Sequence, residues 1–134
     1  MKLKKSYMGF VVWMILFCAA SVGVSFLPIR DSSITTRIVY NICAWGITLL
    51  AFIIYKTEYV YWYNGTSYEE AVEAGSERRK RYAWMHFKRF ALFSIVFFLF
   101  SILAKIFVLS FWIDTVVFLV GFIGVAISTI WIKL

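Results

Sequence analysis

The side chains able to do chemistry are few and fall into three groups. The first is a pair of ionisable residues inside apolar surroundings, Lys105 and Asp114, near the facing ends of two adjoining apolar runs. A charge within a bilayer is costly, so such residues mark an ion pair, a polar path or a gate. On helices, Ser94, Ser101 and Lys105 share one face, and Asp114, Gly121 and Ser128, each seven apart, share another. Run antiparallel, the two stripes set Lys105 against Asp114 and Ser94 near Ser128. Small residues there permit close approach and hydroxyls bond across the seam. The spacing therefore predicts a structural seam with an ion pair, its lysine reaching toward the interface. A proton-coupled path would need a carboxylate at mid-depth, and the runs contain none there.

The second group is basic: Arg78, Arg79, Lys80 and Arg81, followed by Lys88 and Arg89. One reading is a topology determinant. The other is a surface for anionic lipid headgroups or an acidic partner, with about 1 kcal/mol of attraction per basic residue near an anionic leaflet. Tyr82, Trp84 and Phe87 would lie at the interface beside it. The third group, Glu69 to Glu77, reads as a solvated helix face rather than paired catalytic carboxylates. Cys18 and Cys43 are isolated within apolar runs and read as packing residues. His86 has no second histidine or cysteine near it in sequence. No Gly-rich phosphate loop, clustered metal ligands or nucleophile–base–acid set is present. The expectation is therefore no enzyme, no catalytic residues, no cofactor and no metal.

The elements that must position these groups follow from composition. Of 134 residues, 63% are hydrophobic, 21% aromatic and only 16% charged, against about half apolar and roughly a quarter charged in a soluble domain. A small domain could not hide that excess. The apolar residues form long runs, so the expected solvent is lipid. The net charge of +7 does not point to nucleic acid, because the basic residues flank apolar runs and do not interleave with aromatics on a soluble surface.

Four spans are predicted, over about 7–27, 38–59, 89–109 and 112–132, with a loop over about 64–88. Each can cross a hydrocarbon core about 30 Å thick as a helix. The first run follows Lys2, Lys4 and Lys5 and ends at Pro28. It is longer than a usual signal core, and Pro28-Ile29-Arg30-Asp31 is a poor cleavage site, so it reads as a retained helix. Tyr59, Tyr61, Trp62 and Tyr63 extend the second run into an aromatic belt. Small pairs in the first run, Ala19 with Gly23 and Ser21 with Ser25, could mediate helix contact. Phe90, Phe93, Phe97, Phe100 and Phe107 form a packing or lipid-facing stripe on the third.

Lysine and arginine number eleven in the N-terminal tail, the long loop and the C-terminus, against Arg30, Arg37 and Lys105 elsewhere. That bias places both termini inside. The fold class expected is an all-α integral membrane protein: four transmembrane helices as two antiparallel hairpins, joined by a cytoplasmic helical loop. In that loop Asn64-Gly65 predicts a turn. Ser67 with Glu70 predicts a capping box opening a helix at about Tyr68, which breaks near Gly75-Ser76 or runs into the third span. The Asn64-Gly65-Thr66 glycosylation pattern is irrelevant on a cytoplasmic loop.

The function expected is that of a small non-catalytic multi-pass protein, acting by homo-oligomerisation or as an accessory subunit of a larger membrane complex. The alternative is a small oligomeric transporter, flippase or channel for a lipidic or small solute. Membrane lipids, anionic ones included, are the expected partners, and a prokaryotic plasma membrane the expected location.

Overall fold

A computed structural model of the chain describes residues 2–63 and 65–134. It is all-helical, with no strand among the described residues. Four helices are long and apolar enough to span a membrane: α1 (Met8–Gly23), α2 (Ser32–Thr57), α3 (Tyr68–Ile106) and α4 (Phe111–Ile130).

Local sequence explains each boundary. α1 tightens into a 3-10 turn over Val24–Phe26, and Leu27 is extended, as a residue before proline must be. The Asp31 carboxylate caps α2 by accepting from the Ser33 amide at 2.9 Å. α3 opens on the expected capping box, the Glu70 amide donating to Ser67 Oγ at 3.1 Å and the Ser67 amide to Glu70 Oε2 at 2.7 Å. α3 has 39 residues, roughly 60 Å at about 1.5 Å per residue, so it outruns a hydrocarbon core of about 30 Å. Both readings of its course hold in part. The helix continues into the apolar run, but Gly75 interrupts it at φ 77° and ψ 164°, a conformation essentially confined to glycine. The turn expected at Asn64 lies outside the described residues; Gly65 beside it has φ 93°.

The main seam joins α2 to α3. On α2 the buried Arg37, Ala44, Thr48 and Ala51 recur in steps of three, four and seven; on α3 the buried Phe97, Ser101 and Ala104 do likewise. This is the near-3.5 repeat of helices packed at a shallow angle. The alanines let the backbones approach. Bonds from Asn41 to Ser101 and from Thr48 to Ser94 run the two helices in opposite directions.

The phenylalanine stripe divides. Phe93 and Phe97 form a core with Ala44 and Phe118, joined by Tyr40 and Phe122, whereas Phe107 is exposed. Gly121 makes room for Phe93, since a Cβ there would lie 2.7 Å from the ring. A second core gathers Leu3, Ile54, Val60, Tyr61, Tyr82 and Ile132 at the end of the molecule rich in lysine and arginine, here called the basic end. α1 buries no residue of its own. It is tied to α2 by Trp13 Nε1, which donates to the Gly46 carbonyl at 2.9 Å, and by Phe17 seated on Gly46.

Candidate functional site

The polar groups collect along the α2–α3 seam and at its two ends. At the end remote from the basic one, Arg37 lies in the second turn of α2 and Asp114 in the first turn of α4. Arg37 Nε sits 3.0 Å from each Asp114 carboxylate oxygen, and its Nη2 donates to the Leu109 carbonyl at 2.7 Å. Asp114 is 0% exposed and Arg37 is buried. One guanidinium thus holds α2, α4 and the turn after α3 together. That turn is strained, because Val108 adopts φ 52°, an uncommon conformation for a β-branched residue. Its neighbour's amide, Leu109 N, donates back to the Ala104 carbonyl at 2.9 Å. The Leu109 carbonyl is left to accept from Arg37. One turn further along α2, the Tyr40 hydroxyl lies 2.8 Å from Thr115 Oγ1 and its ring stacks on Phe118 at 4.7 Å.

The expected pairing of Lys105 with Asp114 is replaced by this clamp. At that level of α3 the inward positions are Ser101 and Ala104. Lys105 falls one step round the helix, exposed and without a hydrogen-bond or ion-pair partner among the described residues. Asp114 faces α2 instead, where a guanidinium matches a carboxylate better than an ammonium does. The expected approach of Ser94 to Ser128 is also replaced. Ser94 Oγ lies 2.6 Å from Thr48 Oγ1, and Arg89 donates to the Ser128 carbonyl.

Between the two ends the seam carries neutral groups. Thr48 Oγ1 also lies 3.0 Å from the Phe90 carbonyl. Asn41 Nδ2 donates to Ser101 Oγ at 2.9 Å and to the Arg37 carbonyl at 2.8 Å; its Oδ1 is buried with no partner among the described residues. A groove of about 390 Å³ opens beside them, lined by Arg37, Asn41, Trp45, Phe98, Ser101 and Lys105 among others.

The basic end is organised by Glu58, a residue without a role in the sequence reading. It closes α2 in the left-handed conformation at φ 62° and is 2% exposed. Its carboxylate accepts from Arg79 Nε at 3.0 Å, Arg79 Nη2 at 2.8 Å and Ser76 Oγ at 2.8 Å, with Lys80 Nζ 3.7 Å away. The break at Gly75 starts a new helical segment at Ser76, so the carboxylate also meets a helix N-terminus, where negative charge is favoured. Burial by itself raises the Glu58 pKa, but the bonds from Ser76 and Arg79 and the charges of Arg79 and Lys80 outweigh it. The carboxyl is held below its ordinary range. Arg79 Nη1 reaches back to the Ala71 carbonyl at 2.8 Å and so braces both sides of the break.

The members of the basic cluster are therefore placed differently, Arg79 buried and Arg78, Lys80, Arg81 and Lys88 exposed. Arg79 is buried on Glu58 rather than presented to lipid, and Lys80 leans on the same carboxylate. Arg78 donates to the Leu134 carbonyl at 2.6 Å, and Arg89 reaches α4. Arg81 and Lys88 alone point outward without a side-chain partner among the described residues. The aromatic belt has a second use. Tyr61 Oη lies 2.9 Å from the Ser6 carbonyl and accepts from the Ser6 amide at 2.8 Å. Trp62 Nε1 donates to the same carbonyl and Tyr68 Oη to that of Leu3, both at 2.9 Å. These bonds pin the N-terminal tail to the basic end.

Arg37, Asn41, Thr48 and Glu58 were not singled out from sequence. The signal that finds the first three is the recurrence of polar and small residues on α2 at three- and four-residue steps, Arg37, Asn41, Ala44, Thr48 and Ala51, inside an otherwise apolar run; Glu58, beyond the end of α2, has no such signal. Comparison with protein-family models, with curated proteins and with solved structures found no match to this chain.

Proposed function

We propose that the chain is a small non-catalytic, multi-pass protein of the cell membrane that works by assembly, as a homo-oligomer or beside a larger membrane partner. The observation that supports this is how the polar groups are used. Arg37 with Asp114, Asn41 with Ser101 and Thr48 with Ser94 are spent holding helices to one another. Among the described residues no run of free polar groups connects the two ends, as a conduit would require. In this reading the helices pair as two hairpins and the basic end faces the cytoplasm of a prokaryotic cell, as the eleven-to-three bias of lysine and arginine favours. Arg81 and Lys88 supply attraction to an anionic leaflet or acidic partner.

A second reading, an oligomeric transporter, flippase or channel for a lipidic or small solute, draws on the groove beside Asn41 and Lys105. Four helices enclose little polar volume, so this reading requires several copies.

The test is the native mass of the purified protein in a gentle membrane mimetic, with retained lipids identified. A monomer that gains mass only with a protein partner supports the accessory role. A defined oligomer without transport of lipid analogues in vesicles supports self-assembly. Transport abolished by Lys105→Ala with the fold intact overturns both in favour of the second reading.

A further inference from the structure

The groove between α2 and α3, at the end remote from the basic one, has a volume of about 390 Å³, within the range of about 300–1,000 Å³ usual for small-molecule sites. Ile38, Ile42 and Trp45 of α2 and Phe98 and Ile102 of α3 are among its walls, and its surface is almost wholly hydrocarbon. Trp45, Phe98 and Ile102 are exposed, so the groove opens to the outside of the bundle. It follows α2 over residues 34–45, about 16 Å at about 1.5 Å per residue. That is roughly half of a hydrocarbon core about 30 Å thick, the depth of one leaflet. Ile34 and Lys105 lie at its outer end, and Trp45 and Phe98 toward the middle of the helices.

Two cations line this groove, and only one of them is matched. Arg37 gives its Nε to the Asp114 carboxylate and an Nη2 donor to the Leu109 carbonyl. Asp114, 0% exposed, cancels its charge. Lys105 is exposed and has no hydrogen-bond or ion-pair partner among the described residues. The neutral polar groups offer nothing to an anion deeper in the groove. Asn41 Nδ2 already donates to Ser101 Oγ and the Arg37 carbonyl, and Ser101 Oγ donates to the Phe97 carbonyl. What remains of Asn41 is an acceptor oxygen, which disfavours a negative neighbour. A negative group is therefore favoured at the Lys105 end alone, and hydrocarbon over the rest.

We infer that this groove seats one anionic lipid from the leaflet opposite the basic end, its negative head at Lys105 and an acyl chain along Ile38, Ile42, Trp45 and Phe98. Charge complementarity selects the occupant. One unmatched positive charge, at the headgroup end of a hydrocarbon trough one leaflet deep, fits a hydrocarbon chain that carries one negative head. The inference rests on the membrane reading, which sets the Lys105 end at headgroup level. It adds to the general attraction of the basic loop for lipid one bounded site on the other side of the bilayer.

The experiment uses phosphatidylglycerol and phosphatidylcholine probes with identical photoreactive acyl chains, one head anionic and the other zwitterionic. The full chain in phosphatidylcholine vesicles receives each probe at the same fraction, and cross-linked peptides are mapped by mass spectrometry. The phosphatidylglycerol probe is expected to label residues 38–45 and 98–102 about fivefold more, the effect of one basic residue on an anionic lipid. Lys105→Ala should bring the two probes to parity and Lys105→Arg should keep the preference. Neither change removes a contact within the fold, since Lys105 has no hydrogen-bond or ion-pair partner among the described residues. Arg81→Gln with Lys88→Gln, at the other end of the molecule, should leave labelling of the groove unchanged. Equal labelling by the two probes in the unaltered protein overturns the inference, as does a preference that survives Lys105→Ala. Labelling by neither probe, with copies of the chain cross-linked through these segments, would make a protein helix the occupant and overturn it as well. Extraction of the chain from membranes by alkaline carbonate would overturn the membrane reading itself, a failure separable from loss of lipid preference alone.

Discussion

Two buried arginine–carboxylate pairs close opposite ends of the same seam, and they are built differently. Asp114 has one side-chain partner among the described residues, Arg37, whose Nε meets both carboxylate oxygens while its Nη2 donates to a backbone carbonyl of the neighbouring turn. Glu58 collects hydrogen bonds from Ser76 and Arg79 and the nearby charge of the half-exposed Lys80. Among apolar spans, one guanidinium neutralises the charge through a single Nε–H shared between the two oxygens, and all the geometry rests on it. Beside a polar loop, charge is shared among several donors, and water can replace the outermost. The first pair therefore holds helix to helix with no reserve, whereas the second positions a peripheral helix and tolerates partial loss.

The sharpest way to break this comparison is Asp114→Ala. It leaves Arg37 buried beside no counter-charge and should cost about 3–5 kcal/mol of stability, as removing one member of a buried pair does. Thermal unfolding in a fixed detergent would measure it. The double variant Arg37→Leu with Asp114→Leu should recover much of that loss, because apolar groups leave no stranded charge. A double variant as unstable as the single one would mean that the clamp supplies shape rather than charge compensation.

Glu58→Gln should be milder, about 1–3 kcal/mol for hydrogen bonds to a charged acceptor, and its signature lies in pH. The folded carboxyl titrates below its ordinary range, so its contribution is present above the unfolded value and is lost as pH falls through the folded one. Unfolding temperatures followed from pH 7 down to pH 3 should drop more steeply for the unaltered protein than for Glu58→Gln. Parallel curves would show that Glu58 adds no charge-dependent stability.

The difference between the ends also explains what could be read in advance. Four apolar runs and the Ser67–Glu70 capping box are local properties that composition and spacing announce, and Gly75-Ser76 offers a break as one of two courses for the helix. Partnership is not local. Arg37 stands one residue before the predicted second span, where an arginine looks like a flank, and its carboxylate lies 77 residues away. Glu58 sits at the ragged end of the same run among tyrosines. Arg79 looks like any member of Arg78-Arg79-Lys80-Arg81 until the Gly75 break turns it toward Glu58. Asp114 was legible as a costly charge needing a partner. Lys105 was the nearest cation along the chain, but the helix turn that faces α2 belongs to Ser101 and Ala104.

The smallest expected effect follows from that last point. Lys105 is exposed and unpaired among the described residues, so Lys105→Ala should change stability by no more than about 0.5 kcal/mol, as surface substitutions usually do. Thr48→Ala, which removes the hydroxyl bridging Ser94 and the Phe90 carbonyl, should cost about 0.6–1.7 kcal/mol, the range for hydrogen bonds between membrane helices. Measured under identical detergent conditions, the two variants rank a neutral seam contact above a charged surface group. If Lys105→Ala proved the more damaging, the ammonium would have to meet an anion in its working environment. The groove lined by Lys105 and Asn41 would then take the place of the α2–α3 ladder as the part of this end that matters.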